Sequence, residues 1–176
     1  MVFGMPRALF PVLARNQFGG GPEVVGLLFA APAVGALLGA AASGWVTNVR
    51  HMGRAILIAV TIWGLGITGF GLAGDRLALA LVCLAIAGGA DVISAVFRAA
   101  IQQTVVPDNL RGRLAAFNIL IVAGGPSIGD YEAGVVAAAF TPTASVVSGG
   151  LLCIAGVGAI AALVPRFARW QPGDPP

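Results

Sequence analysis

The sequence predicts an all-α integral membrane protein, a polytopic bundle of hydrophobic helices. Of its 176 residues, 58% are hydrophobic and only 10% are charged, whereas soluble domains carry roughly 25% charged residues. The mean hydropathy is +0.94. A chain of this size cannot bury so much apolar surface away from water, and we therefore expect lipid to be its solvent.

Five apolar stretches are long enough to cross a bilayer, since about 20 helical residues suffice. We predict spans near residues 24–46, 55–73, 77–106, 119–140 and 145–164. The third stretch ends in polar residues and exceeds one span, so its helix is expected to continue beyond the lipid. We expect one transmembrane domain over residues 1–170 and a disordered tail over 171–176.

The first apolar segment, residues 1–13, is too short to span. About 13 residues at ~1.5 Å each reach about 20 Å, whereas the hydrocarbon core is about 30 Å thick. Pro6 and Pro11 weaken a helix there further. We expect this segment to be the end of a spanning helix whose beginning is missing, so that the chain is truncated.

The placement of arginine predicts the orientation in the membrane. All ten basic residues are arginines scattered in ones and twos, whereas nucleic-acid binders concentrate basic residues on one face. Of the five connectors, the second and fourth hold two arginines each, as does the C-terminal region: Arg50 and Arg54, Arg111 and Arg113, Arg166 and Arg169. The other connectors hold one or none. The positive-inside rule therefore predicts that the arginine-rich connectors and the C-terminus are cytoplasmic.

Glycines are spaced for close helix contact on two of the predicted spans. One carries Gly35-x-x-x-Gly39 and, four residues further, Ser43; another carries Gly125-x-x-x-Gly129. Small residues at this spacing let helix backbones approach each other in lipid. The pattern predicts a helix bundle without saying which one.

Charged residues inside apolar runs are the best candidates for function. An ionised side chain at membrane depth costs roughly 2.5–3.5 kcal/mol on insertion scales. Asp91 and Arg98 are seven positions apart, so they share one helical face about 10 Å apart. Asp91 is expected either to line a substrate or proton path or to form a structural interhelical hydrogen bond. Arg98 is expected either to line the same path or to snorkel to the interface. Trp63 is a weaker candidate.

Asp130 and Glu132 lie in the fourth predicted span, beside a sequence that predicts a kink. Pro126 is flanked by glycines that include Gly125 and Gly129, and we expect the helix to break there. A broken helix is tolerated at membrane depth only where protein or a wet cavity satisfies its backbone. The alternative role for Asp130 is structural, because Ser127-x-x-Asp130 resembles a capping box that restarts the helix.

The sequence offers no chemistry for catalysis or for a cofactor. His51 is the single histidine, which excludes a histidine metal cluster. Cys83 and Cys153 lie in apolar runs, where small buried hydrophobes are favoured over a disulfide or a metal site. We expect no metal, no cofactor and no enzymatic activity.

Three stretches resemble the C-terminal half of a major facilitator superfamily transporter, close to the enterobactin-exporter-like and drug-efflux branch. They are residues 43–54, 105–113 and 141–149. The family's cytoplasmic loop pattern between helices ten and eleven is matched by Pro107, Asp108, Gly112 and Arg113, and Arg50 and Arg54 fall in the loop between helices eight and nine. In that earlier loop Asn48 stands near the position where the family usually has an acidic residue. The resemblance therefore does not extend to a salt-bridge latch in this loop. Gly125-Pro126-x-x-Gly129 resembles the family's antiporter motif.

The resemblance implies export of a small molecule such as a siderophore or drug by proton antiport, with two halves that rock about a midplane site. It implies the lipid bilayer, protons, a small-molecule substrate and an N-terminal half-transporter as partners, and a multi-pass location in the cell membrane. The alternative is a non-transporting fragment or scaffold that needs a partner half.

Overall fold

The computed structural model describes residues 7–49, 51–105 and 108–164. Within these ranges the protein consists of helices and connectors, without strands. The helices are α1 (Phe10–Asn16), α2 (Pro22–Ala41), α3 (Met52–Leu72), α4 (Leu77–Val105), α5 (Asp108–Ala139) and α6 (Pro142–Leu163), with short 3₁₀ turns at Arg7–Leu9 and Ala42–Asn48. Helices α2 to α6 are long and apolar enough to cross a membrane. The predicted all-α polytopic bundle is therefore confirmed.

Proline, threonine and glycine residues stand at the beginnings and ends of helices, where their backbone and side-chain properties fit. Pro11, Pro22 and Pro142 each lie in the first turn of a helix, where the missing N–H has no intrahelical partner to lose. At the start of α6 the Thr141 hydroxyl accepts a hydrogen bond of 3.1 Å from the backbone N–H of Ala144. Gly74 follows α3 with a φ of +60°, the left-handed conformation that commonly ends a helix.

Helix α4 is the centre of the bundle, with α2 and α3 packed on it. Helix α3 also packs against α6, and α6 against α5. Short α1 reaches the same core through Phe10, which is fully buried. The Phe10 ring makes edge-to-face contacts with Phe29 at 5.1 Å and Phe70 at 5.7 Å between ring centroids. These contacts join α1 to α2 and α3.

The contact between α2 and α4 is made by glycines. A Cβ atom at Gly39 would lie 2.8 Å from the carbonyl oxygen of Gly89, and one at Gly88 would overlap the carbonyl group of Pro32. A Cβ at Gly35 would likewise overlap the backbone of Ala85. Such distances are shorter than a real Cβ atom adopts, so the two backbones touch only because these positions are glycine. The small-residue spacing predicted on α2 is confirmed as a helix contact.

Helix α5 differs from the sequence expectation. It continues as α-helix from Asp108 to Ala139 with Pro126 inside it, so the helix does not end there, and the kink predicted at Gly125, Pro126 and Gly129 stays a prediction. The capping-box interpretation of Ser127 and Asp130 fails for the same reason, because both residues are inside the helix. A proline in a helix removes one backbone hydrogen bond, and in a membrane the local packing can absorb that loss without ending the helix.

Two predicted connectors meet at one end of the bundle. The Gln17 side-chain amide donates a hydrogen bond of 2.6 Å to the carbonyl oxygen of Gly74. Gln17 follows α1 and Gly74 follows α3, so the ends of these helices lie together. Connectors at the same end of an up-and-down bundle are separated by two spans, as these are.

The glycine contact predicts a strong position dependence along α2. Gly39→Val should lower the free energy of unfolding by about 1–3 kcal/mol, because the added side chain overpacks against the backbone of α4. Gly26→Val on the same helix is the matched control, since a Cβ at Gly26 meets nothing within 4 Å. Thermal unfolding of the two purified variants in detergent measures the difference. Equal destabilisation by both changes would contradict a contact role for Gly39.

Candidate functional site

One face of α4 carries three polar side chains at membrane depth. Asp91, Ser94 and Arg98 are spaced by three and four residues, so they lie along one helical face. Asp91 and Arg98 are partly buried, and Ser94 is fully buried. The sequence analysis missed Ser94, although its spacing from the two charged residues could have indicated it.

Asp91 is the electrostatic centre of this face. The charges that act on its carboxyl group include the guanidinium groups of Arg98 and Arg7. Arg98 belongs to the same helix, whereas Arg7 lies in the 3₁₀ turn before α1. Arg7 is distant from Asp91 in the sequence, so spacing gives no means to foresee its electrostatic influence.

The Ser94 hydroxyl is an exception among the buried polar groups. Its oxygen has no hydrogen-bond partner among the residues that the structure describes. By contrast, the Thr61 and Thr68 hydroxyls donate to carbonyl oxygens one turn earlier, each at 2.8 Å. Buried polar groups are nearly always paired, so this hydroxyl, between two charged residues of the same face, makes the face a candidate functional site.

Asp130 lies on a different helix from this polar face. Its side chain is partly buried, and one carboxylate oxygen has no partner among the described residues. Helix α5 packs against α6, and the Ser145 hydroxyl donates a hydrogen bond of 2.9 Å to the Ala133 carbonyl oxygen at that contact. Glu132 is two residues from Asp130, or about 200° around the helix, so the two carboxylates point to different surroundings.

Trp63 is a core residue in this structure. It is 3% exposed and belongs to the cluster that includes Ile67, Phe70 and Leu84. A side chain enclosed in this way fills space between α3 and its neighbours. The buried position of Trp63 is explained by packing between helices, without any contact with a substrate.

The comparison with protein families decides what kind of molecule this is. The family model described as transmembrane secretion effector matches residues 4–172, which is nearly the whole chain. The chain belongs to this family, within the major facilitator superfamily.

Curated relatives of this secretion-effector chain are named enterobactin exporter EntS. The protein of Citrobacter koseri is 34% identical over 152 residues, which cover 86% of the chain and 36% of the relative. Those of Shigella boydii serotype 18 and Escherichia coli O1:K1 are each 32% identical over 169 residues, covering 94% of the chain and 40% of the relative. The chain thus spans about two fifths of the length of these relatives. No solved structure gives a significant match.

Membership in the secretion-effector family confirms several predictions from the sequence. The chain is a multi-pass inner-membrane protein of a transporter family, which is a non-enzymatic class.

Of the loop-motif residues, Arg50 and Pro107 lie outside the described residues. Asp108 is the first residue of α5, while Gly112, Arg113 and Arg54 are exposed. The predicted tail over residues 171–176 also lies outside the described residues.

The unpaired hydroxyl of Ser94 predicts an unusual response to mutation. Ser94→Ala should leave the free energy of unfolding unchanged or raise it, because it removes a buried hydroxyl that has no described partner. Ser145→Ala should lower it by about 0.6 kcal/mol, since it deletes an interhelical hydrogen bond in a membrane protein. Unfolding in mixed micelles measures both variants. A loss of stability in Ser94→Ala as large as that in Ser145→Ala would show that the Ser94 hydroxyl has a structural partner.

Proposed function

We propose that this chain is part of a secondary active transporter that exports a small molecule in exchange for protons. The observation that carries the proposal is the polar face of α4, where Asp91, Ser94 and Arg98 lie together at membrane depth in a secretion-effector family. The relatives' name makes an enterobactin-type siderophore the first cargo to test, with drug-like molecules next.

The cost of charge in lipid supports a functional role for this face. A carboxylate and a guanidinium kept at membrane depth normally mark a substrate or ion pathway. Burial in the bundle disfavours the charged form of the Asp91 carboxyl group, whereas the guanidinium groups of Arg98 and Arg7 attract the ionised carboxylate. Uptake of a proton by Asp91 would weaken that attraction, which is the change that a proton-coupled cycle requires. Asp130, with one buried carboxylate oxygen unpaired, is the second candidate proton carrier.

A partner half follows from the architecture of such transporters. Their substrate site lies near the midplane between two repeats, so the polar face of α4 would be one wall of a cavity whose other wall is an N-terminal half. We propose that the chain by itself supplies half of the cavity and does not transport. A non-transporting fragment or scaffold that needs a partner half is the rival.

Transport assays on the full-length parent test the roles of these residues. Asp91→Asn should lower proton-driven export by at least about tenfold, the factor that a lost interaction of about 1.4 kcal/mol produces. Arg98→Gln and Asp130→Asn are expected to impair export as well. Asp75→Asn is the matched control, because Asp75 is an exposed carboxylate in the turn after α3.

Export is measured into inverted vesicles with and without an imposed pH gradient. If Asp91 carries the proton, the Asp91→Asn variant retains substrate binding but no longer responds to the gradient. Undiminished gradient-driven export in both aspartate variants would overturn their assignment as proton carriers. No transport by the full-length parent itself would favour the scaffold alternative.

The orientation is tested separately with reporter fusions. Arginine counting predicts that the C-terminus and the loop containing Arg54 are cytoplasmic, and that the turn at Asp75 is periplasmic. Alkaline phosphatase should therefore be active when fused at Asp75 and inactive when fused after Pro176. A fluorescent protein that folds only in the cytoplasm should give the opposite pattern. The same reporter active at both positions would contradict the predicted arrangement of spans.

A further inference from the structure

A groove of about 820 Å³ opens on the surface of the bundle where α2 and α3 flank α4. Its size lies within the range of small-molecule pockets, roughly 300–1,000 Å³. Small residues form the floor, and larger aliphatic residues form the walls. The floor includes Gly35, Gly39, Ala59, Ala85, Gly89 and Ala90, and the walls include Leu38, Ile58, Ile62, Val82, Ile86 and Ile93.

The groove lies on the side of α4 away from the polar face. Gly89 and Ile93, which line the groove, are each two residues from Asp91, or about 200° around the helix. If the polar face meets a cavity and a partner half, the groove is turned outward. Its walls are exposed to the surroundings, with Leu38 65% and Ile58 56% accessible. In a membrane-spanning bundle these surroundings are lipid chains.

The apolar part of the groove is long enough for an acyl chain of one leaflet. It extends along α4 from Val82 to Ile93, and eleven residues of helix rise about 16 Å. Half of a hydrocarbon core that is about 30 Å thick is about 15 Å. An acyl chain of a single leaflet can therefore lie along this apolar part of the groove.

Positive charge is confined to one end of the groove. Arg54, in the first turn of α3, lines that end together with His51, and Arg54 is exposed. The other residues that line the groove in the described part of the chain are uncharged. The connector that holds Arg54 is the one predicted to be cytoplasmic, and basic pockets between helices on that side bind anionic lipid head groups.

We infer that this groove binds an anionic phospholipid of the inner leaflet, with an acyl chain between α2 and α3 and the phosphate at Arg54. Zwitterionic lipids share the acyl chain but lack the net negative charge that Arg54 attracts. The groove holds its shape because glycines at its floor keep α2 and α4 in backbone contact. The outward placement of the groove rests on the proposed partner half, whereas lipid binding itself does not require transport, so a failure of export would leave the lipid-binding test unaffected.

The test measures lipid binding to the full-length parent in nanodiscs or mild detergent. Native mass spectrometry compares the binding of phosphatidylglycerol with that of phosphatidylcholine. We expect phosphatidylglycerol to be favoured, and Arg54→Gln to reduce the preference by about fivefold, the effect of one basic residue near a membrane surface. Arg76→Gln is the matched control, because Arg76 is an exposed arginine that does not line the groove.

The acyl-chain part of the site has its own pair of variants. Ile58→Trp should fill the groove and lower the occupancy of both lipids, whereas Leu65→Trp should not. Leu65 lies on the same helix and is 57% exposed, like Ile58, but does not line the groove. A benzophenone side chain placed at Ile86 is expected to cross-link to phospholipid.

Three results would overturn the inference. The first is equal affinity for phosphatidylglycerol and phosphatidylcholine in the unmodified protein. The second is an equal loss of preference in the Arg54 and Arg76 variants, which would indicate unspecific attraction by surface charge. The third is a cross-link from position 86 to protein, which would identify the groove as a contact with another part of the transporter.

Discussion

Backbone contact between α2 and α4 is the constraint on which the rest of the bundle depends. In lipid, apolar side chains gain nothing by leaving the solvent for each other, so helices associate through close packing and interhelical hydrogen bonds. Gly35 and Gly39 on α2 and Gly88 and Gly89 on α4 make that packing possible, because a side chain at any of them would overlap or crowd the opposite backbone. With α2 fixed on α4, α3 occupies the next side of the same helix through glycines of its own.

The central position of α4 separates two environments. Its polar face holds Asp91, Ser94 and Arg98. The side that carries Gly89 and Ile93 forms the floor of an apolar groove. The charged residues and the apolar groove thus lie on different sides of α4.

Several buried or partly buried hydroxyl groups in the bundle have a clear hydrogen-bond partner. Threonine hydroxyls on α3 donate to carbonyl oxygens in the preceding turn of the same helix. The Ser145 hydroxyl donates to a carbonyl oxygen of α5 and so joins α6 to α5. By contrast, one oxygen each of Ser94 and Asp130 has no hydrogen-bond partner among the described residues. An unpaired polar atom away from water costs free energy. A group that hydrogen-bonds to these atoms would therefore gain more binding free energy than it would at a site where every polar atom is already paired.

The sequence by itself determined the class of protein, the number of spans and the positions of the charges, because apolar runs of about 20 residues have few other uses. It also determined the glycine contact on α2, because small residues four positions apart let two helix backbones approach closely in lipid. Only the tertiary structure decided that α5 runs on through Pro126, that Trp63 is enclosed in the core, and that Ser94 is buried. Each of these depends on which helices become neighbours, and a hydrophobic pattern identifies spans without specifying the partner that each one meets.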